Sequence, residues 1–468
     1  MKIINARSEG LIIDRFKVRP GEAWCLVGSN RSGIDSFFRL LAGEAEESLA
    51  DVLELPSHLG IVSFSRQQAL FEAELKKEDT DFLDRIDPGT PAHSFLKNPQ
   101  DHGDLIKAFD MTDSLNKGYR QLSTGQSRKL MILAQITQGV SWLVIQTPYE
   151  GLDPPSCHEL DKSLAFLQHQ GVGLMIFVHN RCDIPDWCTH VGVIAQGRLG
   201  LTGTRDQMVQ ALEGVLDLES PDFQASVHEL IQDRETVTPS RTGSGQTLEA
   251  DSELVFLNHG SAGYNGRPLF TGLNLRIHTQ DHTLVTGPNG SGKSTLLQVI
   301  TGDHPACYQN DLRIFGIQRG SGESIWDLKK HMGIVSSDLH RNYHVPGSTL
   351  NCILSGLFDS IGLYQRTTPQ EEKLARKWLE RLGMTQEAQT PFRRLSYANQ
   401  RLVLIARSLI KVPRLLILDE PTQGLDELNR RAVLDFLEQV AQEGLSTLLY
   451  VSHRQDEFRN FFKFHLRF

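Results

Sequence analysis

The sequence predicts an α/β chain made of two copies of one domain. Three observations predict it. A short apolar strand, Thr283–Thr286, runs into the segment GPNGSGKST at 287–295 and then into the helical run 296–300. A second buried-strand run, 414–418, ends in the carboxylates Asp419 and Glu420. The first half repeats the second at long period: Ser123 and Ser396, Gln146 and Asp419, and Asn180 and His453 each lie 273 positions apart. Strands alternating with helices, repeated at whole-domain length, imply two α/β domains.

The segment 287–295 has the context of a phosphate-binding loop: strand, glycine-rich turn, helix. Gly287, Gly290 and Gly292 allow positive φ, so that the loop after Pro288 can turn backbone N–H groups, among them those of Asn289 and Ser291, toward an anion. The helix N-terminus at Thr295 adds partial positive charge at the same point. Lys293 suits the β- and γ-phosphates of a nucleotide, and the Ser294 hydroxyl suits Mg²⁺.

The downstream residues supply the complementary chemistry. Asp419, at the tip of a strand, can hold Mg²⁺ through water, and Glu420 can polarise an attacking water. After a further apolar strand, 447–451, comes Ser452-His453, and a neutral His453 can reach a γ-phosphate. Between loop and carboxylates lies LSYANQR, 395–401. The order GPNGSGKST, LS-x-x-x-Q, LLILDEPTQGLD, VSH resembles the ATP-binding cassette (ABC) ATPases, and the resemblance covers almost the whole chain. It implies two tandem P-loop NTPase domains, each with a small helical subdomain, with ATP as substrate and Mg²⁺ as cofactor.

Composition agrees with a globular chain without a membrane span. The 468 residues carry a net charge of −9 with pI near 6.0. That argues against a dominant nucleic-acid footprint, and no nucleic acid is expected as partner. No apolar run is long enough to cross a bilayer, and the N-terminus lacks the apolar core of a signal peptide. The six cysteines include no CxxC pair and read as reduced, which points to a cytoplasmic protein.

The first half reads as a worn copy. The strand 25–27 leads to Gly28, and a gap-free match from there to Gly287 puts Ile34 on Lys293 and Asp35 on Ser294. The turn glycines Gly28 and Gly33 survive, but the cation is gone. Asp35 adds a negative charge whose repulsion of a phosphate is worth roughly 1 kcal/mol in water and more where screening is weaker. The expectation is a structural turn that binds nucleotide weakly or not at all. Gln146 and Thr147 replace the two carboxylates, which removes the anionic metal ligand and the base. The gap-free match puts Asn180 on His453 and His179 on Ser452; a shift of one residue would instead bring His179 onto His453. LSTGQ, 122–126, opening the helical run 127–136, resembles the ABC signature, so that Ser123, Gly125 and Gln126 present donors to a γ-phosphate from a helix N-terminus. Gln67 or Gln68 stands where the family carries a glutamine that touches the metal and senses a membrane partner. Residues 75–118 are irregular in period, and their helical subdomain is expected to be small.

Domain limits follow as 1–205 and 251–468, with a linker at 206–250 that includes a helix at 223–234. Tyr264, after a short strand of the second half, is placed to stack on adenine. Ser337 and Asp338 stand where the glutamine of the second half would be. Within the family, LSTGQSRK in a half without a loop lysine, followed by LSYANQRL, is similar to the double-cassette molybdenum-transport ATP-binding proteins. That resemblance implies the ATP-binding subunit of a molybdate-type transporter, peripheral at the inner face of the plasma membrane, with a transmembrane permease as partner. It also implies head-to-tail pairing of the two halves, in which the loop of one half meets the signature of the other. The alternatives are a soluble ABC ATPase acting on a macromolecule, in the manner of a translation factor, and a slow nucleotide-dependent switch. No regulatory C-terminal domain is expected.

Overall fold

The computed structural model describes every residue except 9, 30–31, 46–47, 78–86, 214–251, 265–266, 337–338, 340–342, 344, 396 and 455–456, and the side chains at 397, 398 and 428. The chain forms two compact units, Met1–Glu219 with Asp426–Leu428, and Ser220–Leu425 with Asn429–Phe468.

In the first unit the strands are β1 (Lys2–Ser8), β2 (Leu11–Lys17), β3 (Trp24–Val27), β4 (Ser48–Leu49), β5 (Val52–Glu54), β6 (Leu59–Val62), β7 (Trp142–Gln146), β8 (Gly173–Val178), β9 (His190–Ala195) and β10 (Arg198–Thr204). The helices are α1 (Ile34–Ala42), α2 (Phe64–Lys76), α3 (Gly103–Ala108), α4 (Thr124–Thr137), α5 (Pro154–His169) and α6 (Arg205–Glu213). One sheet runs in the order β4-β1-β2-β10-β9-β3-β8-β7-β6, with β5 on β1. One end of it, β6-β7-β8-β3-β9, is parallel. Strands buried on both faces must be apolar throughout, and WCLV in β3 and GLMIFV in β8 are fully buried runs. Residues 92–121 hold short 3₁₀ turns and the six-residue α3, the small helical subdomain expected. Helix α6 runs from the end of the expected first domain, at 205, into the segment expected as a linker, with Met208 and Leu212 buried. The expected linker helix at 223–234 lies outside the described residues.

The second unit repeats the plan. Its strands are β11 (Glu253–Tyr264), β12 (Arg267–His278), β13 (Thr283–Thr286), β14 (Asp311–Ile314), β15 (Ile317–Gln318), β16 (Met332–Val335), β17 (Leu415–Asp419), β18 (Thr447–Val451) and β19 (Phe464–Arg467). Its helices are α7 (Lys293–Thr301), α8 (Ile325–Lys329), α9 (Thr349–Ser355), α10 (Pro369–Arg381), α11 (Tyr397–Leu409) and α12 (Glu427–Gln442). The parallel sheet β16-β17-β18-β13-β19 has the strand order of the first unit. Its registers bring Asp419 and Val285 level with Val451, so the loops after β17, β13 and β18 emerge at one edge. Ligands of open α/β sheets bind at that carboxyl edge. A separate antiparallel sheet, β12-β11-β14-β15, covers the α7 side. The helices α9, α10 and α11 form a larger helical layer built on Leu350, Ile353, Leu374, Trp378 and Phe392. Helix α10 starts at a capping box between Thr368 and Glu371.

Candidate active site

The loop after β13 has the shape that its glycines require. Gly287 has φ 153° and Gly292, at the N-cap of α7, has φ 104°. A Cβ on Gly287 would lie 2.8 Å from Cβ of Phe468, so no larger residue fits. Lys293 is buried, and its Nζ donates to the carbonyls of Gly287 and Pro288, each at 2.8 Å. The ammonium is thus folded over the loop that it serves. Ser291 Oγ is buried without a hydrogen-bond partner. A buried orphan hydroxyl is costly unless something accepts or donates to it. Beside Lys293 and the N-terminus of α7, that orphan fits a phosphate oxygen. Ser294 is exposed on the first turn of α7, and Asp419 ends β17 at the same sheet edge. A hydroxyl and a carboxylate are hard oxygen donors, the set that Mg²⁺ takes when phosphate oxygens and water complete its shell.

Glu420 follows with φ 49°, a left-handed conformation that a non-glycine residue holds only when its surroundings impose it. Its N–H donates to Val451 O at 3.1 Å, which anchors the end of β17 to β18. Its Oε1 lies 2.8 Å from Nδ1 of His453. Burial raises the Glu420 pKa, but the hydrogen bond and charge of His453, with Lys293 and Arg401, outweigh it and hold the carboxyl below its ordinary value. Glu420 is therefore ionised at neutral pH and can only accept, so Nδ1 of His453 is the donor. That bond leaves Nε2 as the ring nitrogen with which His453 can meet a phosphate.

Tyr264 ends β11 with its ring half exposed, edge-on to His304 and with its hydroxyl donating to Gln298 Oε1 at 2.8 Å. Ser337, Asp338 and Ser396 lie outside the described residues.

The first unit keeps the backbone of this site and loses its chemistry. Gly33 caps α1 at φ 92° as Gly292 caps α7, and Thr147 has φ 45° as Glu420 has 49°. Ile34 is buried in the apolar cluster of Leu11, Phe37 and Phe177. Asp35 Oδ1 accepts from Gln146 Nε2 at 2.8 Å. Ser32, the counterpart of Ser291, donates its hydroxyl to Ser29 O at 2.7 Å. The histidine assignment needs correction. Gln146 pairs with Phe177 in β8, whereas Asp419 pairs with Val451 in β18. The spacing between these strands is therefore 274, not 273, and His179 rather than Asn180 matches His453. His179 Nδ1 lies 3.1 Å from Gly28 O and its Nε2 4.0 Å from Asp35 Oδ1.

Ser123 is exposed at the N-cap of α4 and forms a capping box with Gln126: each side chain bonds the other's backbone N–H, both at 3.1 Å. Gly125 has room beside it, with its nearest side chains at 3.6 Å from an added Cβ. Gln67 does not face the loop. It is buried on α2, donating to Thr124 O at 3.2 Å and Ser127 Oγ at 2.6 Å and accepting from Arg128 Nε at 3.2 Å. Arg128 then reaches Pro148 O at 2.6 Å and Glu150 O at 2.9 Å, tying α4 to the turn after β7. Arg401, at the same repeat position, is also fully buried. Sequence reasoning passed over both; the signal was a guanidinium at one repeat position inside an apolar helix.

Comparison with known proteins places this geometry. The ABC transporter family pattern matches residues 270–423. The chain is 36% identical to the ABC transporter ATP-binding protein ModF of Escherichia coli (strain K12) over 454 residues, 96% of this chain and 91% of that protein. It is 24% identical over 94% of its length to an uncharacterized ABC transporter ATP-binding protein of Schizosaccharomyces pombe, covering 91% of it. Among solved structures, the RNase-L inhibitor gives a TM-score of 0.57 at 16% identity, covering 100% of this chain and 90% of that one. The archaeal ribosome recycling factor aABCE1, solved with the stalk protein aP1, gives 0.54 at 18%, covering 96% and 84%. At these identities the two structures speak for the fold alone.

Proposed function

We propose that this chain, which belongs to the ABC ATP-binding proteins with tandem cassettes and hydrolyses ATP, does so at one working centre, that of its second half. The observation that carries this reading is the contact of 2.8 Å between Glu420 and His453, at the sheet edge shared with Lys293, Ser294 and Asp419. Lys293 and the loop N–H groups neutralise the phosphates. Glu420 accepts a proton from, or orients, the attacking water, and His453 completes the γ-phosphate contact. Mg²⁺, held by Ser294 and Asp419, would draw charge from the phosphate oxygens. Tyr264 stacks on the adenine. The first half contributes Ser123, Gly125 and Gln126 to the cycle and no chemistry of its own.

Glu420→Gln tests the centre. The amide keeps the shape and an acceptor for His453 Nδ1, so ATP binds as before. Turnover falls on the order of 10²- to 10⁴-fold because only the base is lost. Unchanged turnover in this variant removes Glu420 from the mechanism.

The work done with this ATP is proposed to be membrane transport, with the chain as the ATP-binding subunit, peripheral to a permease. The name of the Escherichia coli relative supports this, and no helix among the described residues is long and apolar enough to cross a membrane itself. A molybdate-type cargo rests on the resemblance to the molybdenum-transport proteins, since no residue of the site recognises one. The assay is co-purification from detergent-solubilised membranes. A permease in the eluate supports transport; ribosomes in its place overturn it in favour of action on a macromolecule.

A further inference from the structure

Glu457 lies four residues beyond His453 and is 1% exposed. No ion pair of its carboxylate occurs among the described residues. Its charge is instead met by three hydroxyls: Thr422 Oγ1 donates to Oε1, while Ser452 Oγ at 2.5 Å and Tyr450 at 3.0 Å donate to Oε2. A buried carboxylate is costly unless its lone pairs are filled, and here hydroxyls fill them. Burial first, and then the Glu457 charge, push the Tyr450 phenol well above its ordinary range, which keeps it a donor.

The donors sit in telling places. Thr422 is two residues after Glu420, on the turn closed by Gln423 N to Glu420 O at 3.2 Å. Ser452 immediately precedes His453, and its Oγ also accepts Arg454 N at 3.0 Å. One carboxylate therefore joins the turn that carries the base to the turn that carries its histidine. The first unit is an internal control. By strand register Ile176 and Val178 take the places of Tyr450 and Ser452, with no hydroxyl to give. Tyr149, 273 residues before Thr422, turns its hydroxyl to Asp161. The half without a base also lacks the clasp.

We propose that Glu457 is a positioning residue for ATP hydrolysis: by holding the hydroxyls of Thr422 and Ser452, it fixes Glu420 and His453 at their working distance. The proposal rests on Glu420 and His453 acting as the hydrolytic pair, which Glu420→Gln tests separately.

The experiment uses the full chain, with steady-state ATPase kinetics, equilibrium binding of radiolabelled ATP and thermal melts for Glu457→Gln, Tyr450→Phe and Ser452→Ala. Glu457→Gln is expected to lower kcat about 10- to 100-fold, the scale of a small displacement of a reacting group, with KM and Kd for ATP within about twofold of wild type. Tyr450→Phe, which leaves two donors, lowers kcat less. In single-turnover assays, adding Glu457→Gln to Glu420→Gln lowers the rate no further, because the two act as a unit. A normal kcat in Glu457→Gln overturns the proposal, as does a fall in kcat matched by lost ATP affinity. So does an equal loss in the wild-type and Glu420→Gln backgrounds. Should Glu457→Gln fail to fold, the other two variants decide, and normal kcat in both overturns it. If Glu420→Gln is fully active while Glu457→Gln is not, the hydrolytic reading has failed rather than the clasp alone.

Discussion

Ile34→Lys restores the cation that the first loop lacks, and the structure predicts that it creates no second ATP site. The buried ammonium of Lys293 is accommodated because two carbonyls, Gly287 O and Pro288 O, accept hydrogen bonds from it at 2.8 Å. The counterparts in the first loop are taken. Ser29 O accepts from Ser32 N at 3.0 Å and from Ser32 Oγ at 2.7 Å, and Gly28 O lies 3.1 Å from His179 Nδ1. A lysine at 34 would also leave the apolar cluster in which Ile34 is only 1% exposed. Loss of that burial costs about 1.5–3 kcal/mol. An ammonium held there without acceptors adds to this, unless its stem reaches out to solvent. A net loss of about 2–4 kcal/mol for a unit of this size lowers Tm by roughly 5–15 °C. Equilibrium ATP binding and a thermal melt on the same preparation give both numbers. The expected result is an unchanged ATP stoichiometry with a lower-melting transition. A second equivalent of bound ATP would refute the reasoning, because it would mean that neither the occupied carbonyls nor Asp35, Gln146 and Thr147 close the site.

Two further outcomes follow from the same chemistry. Ser123→Arg is expected to abolish ATPase activity while Ser396→Arg is mild, because Ser123 belongs to the better signature; the opposite order in a steady-state assay sinks the assignment of the first half. His282 gives a pH dependence of stability. It is buried, with Nδ1 accepting the N–H of Leu448 at 3.2 Å. Burial, helped by the charge of Lys463 and opposed by its bond to Ala441, lowers its pKa below the ordinary value. The folded chain therefore keeps it neutral where the unfolded chain takes a proton, near pH 6.5. Its contribution is complete above that pH and is lost as pH falls toward the depressed value, with a slope of at most about 1.4 kcal/mol per pH unit. Tm measured from pH 7.5 to 5 should fall less steeply in His282→Gln than in wild type; parallel slopes would exclude this residue.

What was legible in the sequence was whatever depends on spacing along one strand–turn–helix unit. The loop 287–295, the carboxylates after β17 and the loss of both in the first half all have this character, and the structure brings the intact set to one sheet edge. What was not legible depends on pairing between distant strands. A slip of one residue in β8 relative to β18 moved the histidine match from Asn180 to His179, and no pattern within either strand records it, since GLMIFV and TLLYV are both apolar throughout. The resemblance puts Gln67 or Gln68 at the metal-touching position, but Gln67 is engaged elsewhere. Its partners, Ser127 and Arg128, lie about sixty residues away on another helix. Glu457 escaped for the same reason: a single acid near Phe458, Phe461 and Phe462 looks like surface until three hydroxyls from two other segments converge on it.

The two halves also separate what the fold needs from what the chemistry needs. Both units keep the left-handed glycine at the helix N-cap, the strained residue after the strand that bears the carboxylate, and its N–H bond across to the next strand: Glu420 N to Val451 O in one, Thr147 N to Phe177 O in the other. These features depend on backbone and tolerate exchange of the side chains they carry. The side chains themselves have been exchanged for groups that satisfy one another: Gln146 with Asp35, Ser32 with Ser29, Ile34 with the core. In the second unit the same positions are left poised, with Ser291 Oγ orphaned and Glu420 held ionised in a mostly buried site. The second loop therefore retains an unsatisfied and a charged group for a bound phosphate to meet, whereas the counterparts in the first loop satisfy one another. By that criterion the first loop is a finished structural element, and its stability should exceed that of any variant in which catalytic residues are put back singly.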